Sequence, residues 1–172
     1  GNDLNDFALS WAINSHNSNL PDYTENIEMN HDRYGSMAQR LPVNGIYFQK
    51  MDAKLAMADA SYQWIDIDPF GSPVPFIDSA IQSLARTGVL EVTATDTAAL
   101  TGSSLSSQKR RYGAQGIVDD YAHDDAVRVL LGMIAKTAAM HDRIIKPILS
   151  LFDGHHVRVS VLIKTSKEAA SN

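Results

Sequence analysis

The densest chemistry in this 172-residue sequence lies in Asp66-Ile67-Asp68-Pro69-Phe70-Gly71-Ser72-Pro73. Tyr62, Trp64, Ile65 and Ile67 predict a strand over Ser61–Asp68 that Pro69 stops. Asp68 then stands where a strand gives way to a loop, the usual place for ligands in open α/β sheets. Pro69 has no N–H to donate and leaves a carbonyl free to accept. Phe70 offers a flat apolar face, and Gly71 permits close backbone approach. A carboxylate, a carbonyl and an aromatic ring within three residues suit a planar base that carries an amino group, the ring stacking while the acceptors take the two amino hydrogens. Two plainer readings compete on these residues alone. One is a strand-ending Asp-Pro turn with a packing phenylalanine. The other is a metal-dependent hydrolase that uses Asp66 and Asp68, which share a strand face. No second acidic cluster of obvious ligand type supports that pair, and the reading adopted holds no metal.

Further along, the elements that must position this segment can be read from periodicity. Phe7, Ala8, Trp11 and Ala12 have helical spacing over Asp6–Asn17. Ser18–Gly45 is polar, carries Pro21, Gly35 and Pro42, and reads mostly as a long loop. Gly45–Gln49 is a short strand candidate. Ser72-Pro73 starts a helix whose expected buried face is Phe76, Ile77, Ala80, Ile81 and Leu84, closed by Gly88. Val89–Ala94 is a second buried strand. Asp120–His141 is the longest helical pattern, with Val127, Leu130, Leu131, Ile134 and Ala138 as its stripe and acidic residues at its start, where the dipole favours them. Ile144–Phe152, a turn at Asp153-Gly154 and Val157–Ile163 read as a closing hairpin. Strand–helix–strand alternation ending in a hairpin predicts an α/β fold, a mostly parallel sheet with a C-terminal antiparallel hairpin.

Bulk properties set the bounds. The length fits one domain with a real core, and no apolar run approaches membrane-spanning length. The absence of cysteine excludes disulfides and thiolate metal sites and fits a reducing compartment. A formal net charge of −5 argues against a surface coated for nucleic acid. The one dense basic cluster, Lys109-Arg110-Arg111 before Tyr112, reads on its own as a solvated loop, with a phosphate clamp as the alternative.

Asp66–Pro73, then Val92-Thr93-Ala94-Thr95-Asp96-Thr97-Ala98, then Arg111-Tyr112-Gly113-Ala114 closely resemble the tRNA guanine-N2 dimethyltransferase family. His123 in its acidic surroundings, the Arg128–Ala139 helix and His155–Arg158 continue the likeness in order. The resemblance implies a partial Rossmann-like class I methyltransferase fold that uses S-adenosylmethionine, with tRNA as substrate and a cytoplasmic setting. It implies Asp68, Pro69 and Phe70 as catalytic residues, and Asp3, Asp52, Ala53 and Asp68 toward the cofactor. Gly71, Thr95, Asp96, Lys109, Arg110 and Arg111 would join Phe70 on the substrate side, and His123 is kept out of the mechanism. For Asp96 the plain alternative is a residue that ends its strand and caps the segment after it. The family's glycine-rich cofactor loop is expected before Asp3 and its C-terminal domain after Lys164. Residues 1–164 are therefore expected to be the C-terminal portion of a catalytic domain, with 165–172 as a polar tail. Such a fragment is expected to bind cofactor weakly and to pair copies through an exposed sheet edge; the alternative function is a catalytically silent RNA-binding or scaffold fragment.

Overall fold

The computed structural model describes residues 28–31, 37–40, 47–49, 51–116 and 118–170. The chain divides into two units, Gly1–Asp59 and Ala60–Asn172. In the first, β1 (Glu28–His31), β2 (Met37–Arg40) and β3 (Tyr47–Gln49) form an antiparallel sheet in that order, and α1 (Ala53–Ala58) follows. This corrects the expectation of a loop from Ser18 to Gly45. The strands are three or four residues long and largely polar, so side-chain alternation gives no signal, and backbone pairing from Glu28↔Arg40 to His31↔Met37 sets them. Asp3 and the helix expected over Asp6–Asn17 lie outside the described residues.

The second unit runs β4 (Tyr62–Ile67), α2 (Val74–Ser83), β5 (Leu84–Ala94), α3 (Thr97–Leu100), α4 (Leu105–Tyr112), α5 (Ala122–Ala139), β6 (Arg143–Phe152), β7 (Val157–Thr165) and α6 (Lys167–Ala170). Its strands lie in the order β4-β5-β7-β6. The expected parallel pairing is present between β4 and β5, from Trp64↔Val89 to Ile67↔Val92, and the expected hairpin is β6–β7. Because β7 inserts between β5 and β6, it is antiparallel to both and the sheet is mixed, with a larger antiparallel share than the sequence suggests.

One face of this sheet carries the core. Ile65 and Ile67 of β4, Leu90, Val92 and Ala94 of β5, and Val157, Val159, Val161 and Ile163 of β7 are buried, at the period of two that a strand imposes. Against them α2 places Ile77, Ala80 and Ile81, and α5 places Ala126, Leu130, Ile134 and Ala138. Spacings of three and four keep each set on one helix face. Val127 and Leu131 of the expected stripe are only half-buried.

Two boundaries differ from those expected. α2 ends at Ser83 and Leu84 is already extended, so β5 follows with no intervening loop and Gly88 lies inside the strand. A Cβ there would come 2.9 Å from Leu84 Cδ2 and 3.1 Å from the Gln63 carbonyl oxygen, so the glycine serves close strand approach rather than helix termination. Lys109-Arg110-Arg111 forms the last turn of α4 rather than a loop, closed by Gly113 at φ +63°. That helix buries Gln108 and Tyr112 and leaves Leu105 half-exposed, so it has no apolar stripe to read. Among the described residues no helix is long and apolar enough to cross a membrane.

Candidate active site

β4 delivers Asp68 at the carboxyl end of the sheet. The loop after it is held by two hydrogen bonds to one residue beyond β5. The Gly71 N–H donates to Thr95 Oγ1 at 2.6 Å, and the Thr95 N–H donates to the Gly71 carbonyl at 3.0 Å. Gly71 sits at φ +82°, where a side chain would be strained, and nothing lies within 4 Å of where its Cβ would be. On this fixed loop the side chains of Asp68 and Phe70 are exposed. The Asp68 side chain is exposed and makes no hydrogen bond or ion pair among the described residues, and Phe70 is fully exposed at 105%. A packing phenylalanine would be covered, so the turn-and-packing reading fails for Phe70.

Behind the loop lies a second layer of bonds. Tyr112, 5% exposed, donates its hydroxyl to Asp96 Oδ1 at 2.6 Å and accepts from Ser72 Oγ at 3.1 Å. Arg111 donates to the other Asp96 oxygen at 3.0 Å. Burial, reinforced by the bond to Asp96, pushes the Tyr112 phenol well above the ordinary tyrosine range, so it keeps its proton and remains a donor. Asp96 occupies the N-cap position of α3, yet its side chain makes no cap bond, and its backbone carbonyl takes the amides of Ala99 and Leu100. With both oxygens engaged and the side chain 8% exposed, Asp96 holds α4 to the loop region.

Asp66 faces a different environment. Its carboxylate accepts from Arg158 at 2.9 Å, and the same guanidinium reaches Glu91 and, at 2.7 Å, Thr93 Oγ1. Ser160 donates to Glu91 at 2.8 Å. The Asp66 bond first, then Glu91, raises the Arg158 pKa further. The strand registers Asp66↔Glu91, Glu91↔Ser160 and Thr93↔Arg158 put this ladder on the sheet face opposite the core. Asp66 is thus bound to a cation of the chain, and the carboxylate pair of the hydrolase reading is split. Among the described residues no group of three or more metal-ligating side chains occurs.

The other expected site residues fall elsewhere. Asp52 is the N-cap of α1 and accepts from the Lys54 N–H at 2.8 Å, with Ala53 opening the helix. Both belong to the first unit. Lys109 and Arg110 are exposed. His123 stacks on Phe152 with ring centroids 4.3 Å apart, an arrangement of packing rather than catalysis. Sequence reading misses Ser72, Tyr112, Glu91 and Ser160 as working members of these networks. Only the alternation of Arg158 and Ser160 within an apolar strand hints at a polar face.

A family model for the N2,N2-dimethylguanosine tRNA methyltransferases matches residues 4–172. A tRNA (guanine(26)-N(2))-dimethyltransferase of Thermoplasma volcanium is 47% identical over 103 residues, 60% of this chain and 30% of that protein. Its counterpart in Thermoplasma acidophilum is 37% identical over 150 residues, 87% of this chain and 41% of that one. Among solved structures, Trm1 from Pyrococcus horikoshii in complex with S-adenosyl-L-methionine superposes with a TM-score of 0.85 at 31% identity, covering 99% of this chain and 44% of that one. The chain thus spans less than half the length of these relatives.

Proposed function

The chain belongs to the N2,N2-dimethylguanosine tRNA methyltransferase family, and on that premise we propose that it forms part of an enzyme that methylates the exocyclic N2 amine of a guanine in tRNA, at the junction of the D and anticodon stems. The observation that carries the reading is the contrast on one loop: the backbone at Gly71 is fixed, while Asp68 and Phe70 are free to take a ligand.

The amine lone pair of guanine is delocalised into the ring and is a poor nucleophile. Phe70 stacks the base, while the Asp68 carboxylate and the Pro69 carbonyl each accept one amine hydrogen. Holding both hydrogens lets the nitrogen pyramidalise and aims its lone pair along one direction, and such alignment supplies much of a methyl transfer's rate. Once the new N–C bond forms, the nitrogen becomes strongly acidic and Asp68 accepts the proton.

The structure fits a cofactor on this loop in two respects: Asp68 is exposed and unengaged at a strand's carboxyl end, and the space before Gly71 is open. S-adenosylmethionine, when bound, would supply the methyl group from its sulfonium sulfur, the carbon–sulfur bond breaking as the nitrogen–carbon bond forms and leaving the neutral thioether S-adenosylhomocysteine. Asp3, Asp52, Ala53 and Asp68 are the residues proposed to hold it. On the substrate side, Thr95 and Asp96 act behind Phe70 and Gly71, and Lys109, Arg110 and Arg111 face the tRNA backbone. Residues 1–164 are assigned to the catalytic domain and 165–172 to a polar tail, in a cytoplasmic protein. β4 stands last in the described strand order, and Trp64 on it is exposed, which supports a second copy docking beside this strand.

The test is direct. The natural full-length protein, given S-adenosylmethionine with a labelled methyl group and a tRNA transcript, should yield labelled N2-methylated guanosine on digestion to nucleosides. Label in another nucleoside, or none at all, would refute the reading.

A further inference from the structure

A groove of about 390 Å³ runs between the end of α4 and the side of α5, and the chemistry above does not use it. Its walls include Tyr112, Gly113, Arg128, Gly132 and Lys136, with Asp125 toward the start of α5. Arg128, Gly132 and Lys136 are spaced by four, so they form one stripe along about 12 Å of helix at ~1.5 Å per residue. A Cβ at Gly132 would meet nothing within 4 Å, so the helix surface is low between the two cations. Next to Tyr112 in the chain, though outside the groove's lining, Lys109, Arg110 and Arg111 are all exposed in the last turn of α4.

The charges in this groove are available. Lys136 makes no side-chain bond among the described residues. Among the described residues Arg128 is tied only to Asp125, at 3.2 Å and with side chains 71% and 40% exposed, the kind of pair that solvent and salt screen. Exposed Asp119, Asp120 and Asp124 precede and open α5, so an anion is repelled from that end and held toward Gly132 and Lys136. The groove also communicates with the loop, because Tyr112 lines it and bonds Ser72, the residue after Gly71.

We infer that the groove carries the sugar-phosphate backbone of the tRNA strand flanking the target guanine, with Arg128 and Lys136 as phosphate contacts; the inference rests on the functional reading above. Phosphate contacts release counterions, so each one lost makes the dependence of log K on log salt shallower by about one.

The experiment measures tRNA binding by the natural full-length protein across a salt series. Arg128→Gln with Lys136→Gln should flatten the slope by about two relative to wild type while S-adenosylhomocysteine affinity is unchanged. Gly132→Glu places a carboxylate in open space at a position where glycine is a poor helix former, so it should fold and still weaken tRNA binding at low salt. Wild-type slope in the double variant, with Gly132→Glu binding normally, would overturn the assignment and leave the groove to another anion such as an acidic peptide. Wild-type protein that neither methylates tRNA nor binds it in a salt-dependent way would bring down the functional reading together with this one. Wild-type protein that does both, beside variants of unchanged slope, removes the groove alone.

Discussion

Tyr112 donates its hydroxyl to Oδ1 of Asp96 across 2.6 Å, one residue past the Thr95 that pins Gly71. The bond joins the end of α4 to the turn that holds the loop, and Ser72 closes the connection from the other side. Tyr112→Phe removes the donor to Asp96 and the acceptor for Ser72 while keeping the ring. The expected loss is about 1–2 kcal/mol of stability, the usual cost when a hydrogen bond to a charged group is deleted. The turnover number should fall more than the KM for tRNA rises, because the loop is looser but its contacts are retained. The sign of the pH dependence comes from the raised phenol pKa. The stability advantage of wild type over Tyr112→Phe is fully present below the ordinary value of 10.0 and is lost as pH rises above it. Urea midpoints of both proteins between pH 7 and pH 11 check this, and an advantage that instead shrinks toward acid would refute it.

Phe70 should act on the base and not on the fold. Phe70→Ala is expected to weaken tRNA engagement by about 1–3 kcal/mol, the worth of one base–aromatic stack. Phe70→Tyr should be far milder. Since Phe70 is fully exposed, the thermal midpoint should be unchanged in both variants. A loss of stability in Phe70→Ala with normal tRNA affinity would make it a packing residue.

The parts of this architecture legible in sequence are those with a side-chain period. β4, β5, β7, α2 and α5 show alternation or a stripe because each buries one face, and the Asp68-Pro69-Phe70-Gly71 break shows because proline and glycine end ladders. α4 reads as a loop in sequence because its buried residue besides Tyr112 is a polar one. Gln108 is 1% exposed and donates to the Leu100 carbonyl at 3.1 Å while accepting from the Gly116 N–H at 2.7 Å. A helix satisfied inward by an amide leaves no hydrophobic trace. The insertion of β7 between β5 and β6 is equally invisible, since strand order depends on register between distant segments. Likewise, nothing local distinguishes Asp66 from Asp68. Their environments diverge because Arg158, 92 residues from Asp66, reaches one and not the other.

Trp64 on β4 yields a prediction about association. This strand stands last in the described order, and Trp64 is 61% exposed. An exposed aromatic side chain on the last strand of the described order favours contact with another chain. The 172-residue chain is expected to sediment as a dimer or larger species at tens of micromolar. Trp64→Lys should shift it toward monomer, since a charge on an edge strand opposes pairing. A wild-type chain that sediments as a monomer under these conditions would contradict the pairing.

The central claim is that Asp68 accepts the amine hydrogen and the proton released after transfer. It is tested most directly by single-turnover methyl transfer in the natural full-length protein carrying Asp68→Ala, with S-adenosylhomocysteine affinity measured alongside. The side chain is exposed and unengaged, so the fold should be intact. The account predicts a rate lower by a factor of about 10² or more, the usual cost of losing one well-placed electrostatic partner, a loss larger than any accompanying fall in cofactor affinity. A rate near that of wild type would contradict it.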